Sequence, residues 1–342
     1  MSVSIRTAAI RTRTVELVLR TPFRLSRGTS LTRNNVILEI EQDGIVGRGE
    51  AAPLPRYGES AESATAALEQ MARGQFDPKA FAEEASRLAV PGQNAAAAAF
   101  DAALHDLAAK RLGIPVREML GIGHRPLAPT SWTIGNDPIG EALEKVAASQ
   151  HFSVLKLKMG LPGDMELLRA VRGATRQAIR VDANEGWSLD EAAAKLDELA
   201  ELGVELVEQP LRYDQLEEMR ELKKKSRLPL IADESLHHAG DIPRLAGAFD
   251  GINIKLAKCG GIAPALRLIA TARAHGLKIL LGCMVESSLG IAAALAVAPL
   301  VDWIDLDGSL LVANDPFEGL TLEGGSLLLP TGAGLGVEPA MG

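Results

Sequence analysis

From about residue 129 onward the chain repeats one pattern: a short apolar run that ends in a polar residue, followed by an amphipathic stretch. The runs are TSWTIG (130–135), VLKLKMG (154–160), IRVDAN (179–184), ELVEQP (205–210), LIADES (230–235), GINIKLAK (251–258), KILLGCM (278–284) and DWIDLDG (302–308). Their landmark residues Lys156, Asp182, Glu208, Asp233 and Lys255 are spaced by 26, 26, 25 and 22 residues. That period accommodates one strand, one helix and two short loops. Eight such units predict an α/β fold, a closed (β/α)8 TIM-type barrel rather than an open sheet. Before residue 129 the pattern differs. Segments 3–19, 34–41 and 44–51 are rich in Val, Ile and Thr in rough alternation, which predicts a small antiparallel sheet with a turn at Gly44. Helical stretches follow over about 60–73, 78–88 and 93–112, the last stopping at Gly113 with Pro115 behind it. The predicted organisation is an α+β capping domain over residues 1–125 and a barrel over 126–311. The tail, 312–342, has no room for another βα unit and is expected to pack back on the cap.

Composition narrows the partners. The chain has 342 residues, 47% of them hydrophobic and 23% charged, as suits a globular protein with a full core. Its 36 basic against 44 acidic side chains give a net charge of -8, which disfavours nucleic acid as a partner. The longest apolar stretch, Leu289 to Leu300, is interrupted by Gly290 and Pro299 and is too short to span a bilayer, so no membrane role is expected. The opening MSVSIRTAAIRTRTVEL lacks the apolar core of a signal peptide. Two cysteines, Cys259 and Cys283, cannot build a disulfide framework and fit a reducing cytoplasm. The expectation is a soluble cytoplasmic enzyme. Barrels of this kind often assemble, so a homo-oligomer is compatible with the sequence, which sets no stoichiometry.

In such a barrel, catalytic groups sit at the C-terminal ends of the strands. Here that layer holds Lys156, Lys158, Asp182, Glu208, Asp233, Lys255, Glu286, Asp305 and Asp307. Residues two apart on a strand share a face, so Lys156 and Lys158 point the same way, as do Asp305 and Asp307. Asp182, Glu208 and Asp233 come from consecutive strands and converge at the rim. Carboxylates that close need a cation, and a set without His or Cys favours Mg²⁺ or Mn²⁺ over zinc. The strands of Lys158 and Lys255 are four steps apart and face each other across the mouth. The strand of Glu208 likewise faces that of Asp305 and Asp307.

Two opposed amines around a metal-bound carboxylate suit removal of the proton α to it, through an enediolate. One lysine takes the proton and the other returns one to the opposite face, inverting the centre. A lysine base needs a pKa well below its usual value of about 10.4, and Lys156 and the metal are expected to push it down.

At these residues the sequence resembles the enolase superfamily, specifically its muconate lactonizing enzyme subgroup; the Lys base with Mg²⁺ is itself a known pattern of that superfamily. The resemblance runs through K-x-K at 156–158, D-x-N at 182–184, E-Q-P at 208–210 and A-D-E-S at 232–235. It continues in N-I-K-L-x-K-x-G-G at 253–261, C-M-x-E-S at 283–287 and the helix 100–121. Within the subgroup, the D-x-D of Asp305 and Asp307 is similar to the dipeptide epimerases, where such a pair holds the substrate's α-ammonium. The resemblance implies one Mg²⁺ on Asp182, Glu208 and Asp233, with Lys158 and Lys255 as the acid/base pair. It implies Lys156 against the substrate carboxylate, and Thr133 and the Cys283-Met284 backbone along the dipeptide. Specificity loops are implied at about 21–31 and 52–60. Within them Arg24 is expected to meet a glutamate side chain, making an acidic second residue the first guess. Arg27, Arg56 and Glu59 are close enough in sequence to alter that preference. The alternatives on the same scaffold are an N-acylamino acid racemase, an o-succinylbenzoate synthase or a muconate cycloisomerase. Their substrates carry no ammonium for Asp305 and Asp307. A non-catalytic small-molecule binding protein is a third reading, opposed by the presence of every ligand and both lysines.

Other signals carry less. G-A-G-L-G at 332–336 has no room for a following helix and is no dinucleotide site. His237 and His238 lack partners at ligand spacing and read as a loop. Cys283 has no histidine in its motif and reads as a wall residue. Asp101 and Asp106 read as structural, and Lys258 as a support that hydrogen-bonds loop carbonyls.

Overall fold

The computed structural model describes residues 9–25, 28–73 and 81–341. A three-stranded antiparallel sheet opens the chain: β1 (Ala9–Leu25), β2 (Gly28–Gln42) and β3 (Ile45–Ala51). Helices α1 (Ala61–Arg73), α2 (Phe81–Leu88), α3 (Asn94–Leu112) and the short α4 (Val116–Met119) follow. Strand alternation explains how they pack. Val36, Leu38 and Ile40 share one face of β2 and are buried with Leu68, Phe100 and Leu104. The alanine-rich face of α3 lies directly on β3. A Cβ on Gly49 would stand 2.0 Å from the Ala99 carbonyl oxygen, so only glycine permits this approach.

The first hairpin differs from expectation. Segment 21–31, anticipated as a loop, is mostly strand: β1 runs on to Leu25 and β2 begins at Gly28, past an irregularity between Val18 and Phe23. Its outward Thr, Arg and Ser residues look loop-like in sequence, but they can line a two-stranded arm that has only one covered face. Arg27 lies outside the described residues.

The barrel comprises β4 (Ser131–Ile134), α5 (Ile139–Ala148), β5 (Val154–Lys158), α6 (Asp164–Ala174), β6 (Ala178–Asp182), α7 (Leu189–Glu201), β7 (Val204–Glu208) and α8 (Leu216–Lys225). It continues through β8 (Leu230–Ala232), α9 (Ile242–Leu245), β9 (Gly251–Ile254), α10 (Leu256–Cys259), α11 (Ile262–Ala274), β10 (Lys278–Gly282), α12 (Ser288–Leu295) and β11 (Trp303–Asp305). The eight strands β4 to β11 pair in sequence order, all parallel. A bridge between Thr130 and Ile304 closes the ring, with the Leu306 amide donating to Thr130 Oγ1 at 2.8 Å. All eight strands coincide with the predicted runs, β6 and β7 beginning one residue early. Leu206, Ile231, Leu280 and Trp303 form one apolar cluster, and Leu206, Ile231 and Trp303 stand two residues before Glu208, Asp233 and Asp305. The period of two thus stacks a dry plug directly beneath the polar layer.

The cap is fastened to that mouth. Glu50 on β3 accepts from the Ser287 and Gly290 amides at 3.0 and 3.1 Å, at the N-terminus of α12. Asp101 on α3 accepts from the Ile262 amide at 2.6 Å, at the start of α11, and Asn94 donates to the Lys258 carbonyl at 2.9 Å. The tail contacts the same elements: the Ala313 amide donates to the Val18 carbonyl, Gly334 exchanges backbone bonds with Ile114 and Val116, and the Leu335 amide reaches Asp106. The Gly-rich 332–336 segment is thereby a backbone clamp. No helix among the described residues is long and apolar enough to cross a membrane.

Candidate active site

The mouth of the barrel and the underside of the first hairpin enclose a cavity of about 260 Å³. Lys156, Lys158, Asp233, Lys255, Cys283, Met284, Asp305, Asp307 and Thr133 line it, together with cap residues Phe23, Arg33, Leu54, Arg56 and Tyr57. Asp182 closes β6 and Glu208 closes β7, while Asp233 follows β8 by one residue. One carboxylate oxygen from each lies within 4.8 Å of the other two, and all three side chains are buried.

Electrostatics make this cluster costly by itself. Burial and the neighbouring Asp182 charge push the Glu208 carboxyl up to about 7. The same burial acts on Asp182 and Asp233, but there it is outweighed: Lys158 and Lys156 hold Asp182 below the usual carboxylate range, and Lys255 and Lys258 do so for Asp233. A buried all-oxygen triad with one member driven towards neutrality fits an oxygen-seeking divalent cation.

Each triad member is held by residues that the sequence motifs contain without revealing their task. Asn253 donates to Glu208 Oε1 at 2.7 Å, and the Asn184 amide donates to Asp182 Oδ1 at 2.9 Å. Gln209 Oε1 accepts from the Asp233 and Ser235 amides at 2.9 and 3.2 Å. Asn184, Glu185 and Gln209 all have positive φ, 45°, 66° and 36°, so the backbone is strained where β6 and β7 end. Such strain has no sequence signature. Lys258 supports the site as expected by donating to the Asn253 carbonyl at 3.2 Å and the Asp233 carbonyl, and it also pairs with Asp233 Oδ1 at 2.6 Å.

The lysines sit on both flanks. Lys158 closes β5 with its Nζ 2.6 Å from Asp182, and Lys255 follows β9 with its Nζ 2.7 Å from Asp233. In the order β5-β6-β7-β8-β9 the three acids occupy the strands between them. Lys156 also lines the cavity, between the two flanks. Its Nζ is central, 3.1 Å from Asp182, 2.7 Å from Glu208 and 2.6 Å from Asp305. Burial disfavours its charge, but Asp305, Glu208 and Asp182 outweigh it and hold the ammonium above the ordinary lysine range. The lysine pKa depression expected beside a metal does not arise at Lys255 from the protein's own side chains. Burial works in that direction, but Asp233 and Glu208 outweigh it and hold the ammonium well above its ordinary value.

Opposite Glu208, Ser131 donates to Asp305 Oδ1, and the Thr133 amide donates to Asp307 Oδ2 at 2.8 Å. Burial and Asp305 push Asp307 up to about 6. Cys283 is a wall residue: burial raises its thiol, which donates to the Asp305 carbonyl at 3.4 Å. Met284 lies beside it. Arg24 does not reach the cavity. Its guanidinium pairs with Asp137 at 2.6 Å and Glu141 at 2.7 Å, partners more than a hundred residues away that the local sequence could not disclose. His237 packs edge-on against Tyr57, and Glu59 accepts from the Ala95 amide; neither is among the residues lining this cavity or in the acid triad.

Residues 7–121 match the family described as the mandelate racemase / muconate lactonizing enzyme N-terminal domain, and residues 139–342 match the enolase C-terminal domain-like family. The chain belongs to the mandelate racemase / muconate lactonizing enzyme family of the enolase superfamily. It is 39% identical over 328 residues to an L-Ala-D/L-Glu epimerase of Bacteroides thetaiotaomicron, covering 94% of this chain and 85% of that protein. It is 38% identical over 325 residues to a hydrophobic dipeptide epimerase of Roseobacter litoralis, covering 92% and 94%. The crystal structure of a dipeptide epimerase from Methylococcus capsulatus complexed with Mg and L-Arg-D-Lys superposes with a TM-score of 0.90 at 37% identity. That match covers 97% of this chain and 99% of the other.

Proposed function

We propose that the chain is a Mg²⁺-dependent dipeptide epimerase that inverts the α-carbon of the C-terminal residue. One observation carries the reading: Lys158 and Lys255 flank the acid triad from strands four apart, while Asp305 and Asp307 line the same cavity from β11, four strands from Glu208. Asp182, Glu208 and Asp233 are the residues that would hold the cation. When bound, Mg²⁺ supplies the positive charge that stabilises an enediolate and opposes the extra protons on the neighbouring lysines.

The rest is the work of this chain's side chains. Asp305 and Asp307 receive the α-ammonium of the first residue, which places the second residue's α-carbon between the two lysines. The neutral Nζ on one flank removes the α-proton, and the C–H electron pair passes into the carboxylate. The ammonium on the other flank delivers its proton to the opposite face, leaving the inverted centre and the two lysines with exchanged protonation. Lys156 stays charged at the centre and offsets the carboxylates. Substrates of the racemases, synthases and cycloisomerases on this scaffold lack the ammonium that the buried acid pair calls for. The unpaired cysteines Cys259 and Cys283 support a cytoplasmic setting.

The test is proton exchange. L,L-dipeptides incubated with the protein and Mg²⁺ in D₂O should gain one deuterium at the second residue's α-carbon while the L,D epimer accumulates, followed by mass spectrometry and NMR. Absence of both across a dipeptide library would remove the reading.

A further inference from the structure

Among the cap residues that line the cavity, one charge is unanswered. Arg33 lies on β2 two residues before Asn35, so the two share a face. Asn35 Nδ2 donates to the Val285 carbonyl at 2.9 Å, which shows that this face looks down on the loop between β10 and α12. Arg33 accordingly borders the same cavity as Lys158, Lys255, Met284 and Val285. Arg56, which lines the same cavity, is neutralised by Glu185, and Arg24 nearby in the hairpin is neutralised by Asp137 and Glu141. Among the described residues the Arg33 guanidinium has no carboxylate within ion-pair distance, and it donates to the adjacent Thr32 carbonyl at 3.2 Å. It is half-buried, and burial alone lowers its pKa, with no acid opposing.

A guanidinium withdrawn from water without a counter-charge is unfavourable unless a ligand supplies one. Its planar fork of N–H donors matches a carboxylate, and the apolar residues Phe23, Leu54 and Val285 that line the same cavity would strengthen that contact by excluding water. In the dipeptide reading, on which this rests, the substrate's own carboxylate and ammonium are already accounted for at the triad and at Asp305 and Asp307. The anion that Arg33 calls for must therefore come from a side chain. We propose that Arg33 is a specificity residue that selects dipeptides carrying a side-chain carboxylate. The relatives do not decide this, since their names span acidic, hydrophobic and cationic dipeptides.

The experiment compares kcat/KM for α-proton exchange on L-Ala-L-Glu and L-Glu-L-Ala with their neutral isosteres L-Ala-L-Gln and L-Gln-L-Ala. The wild-type protein and the Arg33→Leu variant are measured side by side with Mg²⁺. The two acidic peptides separate recognition at the second residue from recognition at the first. The expected result is a wild-type preference for the acid over its isostere in one of the pairs. Arg33→Leu should shrink that preference about 10- to 100-fold, chiefly through KM, as loss of a charge-assisted hydrogen bond predicts. Arg33→Lys should restore part of it. If Arg33→Leu does not fold, Arg33→Gln carries the same expectation. A wild-type protein indifferent to the acid, or a preference that survives loss of the guanidinium, overturns the assignment. Exchange on neutral peptides with an unmoved ratio sinks the role of Arg33 alone; no exchange on any dipeptide sinks the epimerase reading itself.

Discussion

The floor of the cavity and its roof are built on opposite rules. On the floor, at the ends of β5 to β9, every charged group is buried and tied to another: three carboxylates, four lysines, and the amides of Asn253 and Gln209 behind them. On the roof, the arm of β1 and β2 and the turn at 55–57 present single side chains on elements with solvent behind them. Charges packed that densely cannot be exchanged one at a time without stranding a partner, whereas the roof can change residue by residue. Under the proposed function, reaction chemistry belongs to the barrel and choice of side chain to the cap.

The sharpest way to break that division is on the floor. Replacing Lys158 or Lys255 by Ala should lower epimerisation about 10²- to 10⁴-fold, the range for losing one positioned acid or base, read as the rate of L,L to L,D conversion by NMR. A conversion rate within threefold of wild type would dissolve the two-base scheme. Asp305→Asn should act next most strongly, and mainly on KM. It removes one charge of the ammonium site and leaves Lys156 with one carboxylate fewer, and about 10- to 100-fold in kcat/KM is expected. A variant that bound N-acetylated amino acids better and dipeptides no worse would point to the racemase alternative.

The pH profile gives a smaller effect. Asp307 sits at about 6 because burial disfavours its charged form, and an ammonium is held by the carboxylate rather than the acid. Affinity should be present above that value and fall as the pH drops through it, so KM rises towards acid while a free-ammonium-lacking analogue shows no such rise. The smallest change belongs to the cap. Gly49→Ala forces a Cβ against the Ala99 carbonyl and should cost about 1–3 kcal/mol of stability, lowering Tm by several degrees in calorimetry. The kcat of the protein that remains folded should change little. A large loss of kcat would show that the cap shapes the floor as well as the roof.

Much of the floor is legible in the sequence because strand ends recur at a regular spacing and each ends in a charge. The triad, both flanking lysines and the Asp305-Asp307 pair can be placed from that rhythm alone. What is not legible is who pairs with whom across long separations. Arg24 sits where a substrate contact is expected, but its partners Asp137 and Glu141 belong to the segment after β4. Arg33 looks like an ordinary outward residue of an edge region, and only the position of Asn35 over Val285 reveals which way its face turns. The balance of charge around the lysines is illegible for a related reason. Burial favours a neutral amine, but several carboxylates converging within hydrogen-bond distance reverse the balance, and convergence is a property of the closed barrel.

The most direct measurement of the central claim uses both diastereomers in D₂O with the two lysine variants. A protein with one base on each face, deprived of Lys158, should still wash deuterium into the diastereomer whose proton faces Lys255, without inverting it. Deprived of Lys255, it should wash deuterium into the other diastereomer only. Loss of exchange from the same diastereomer in both variants would place the two amines on one face and contradict the account.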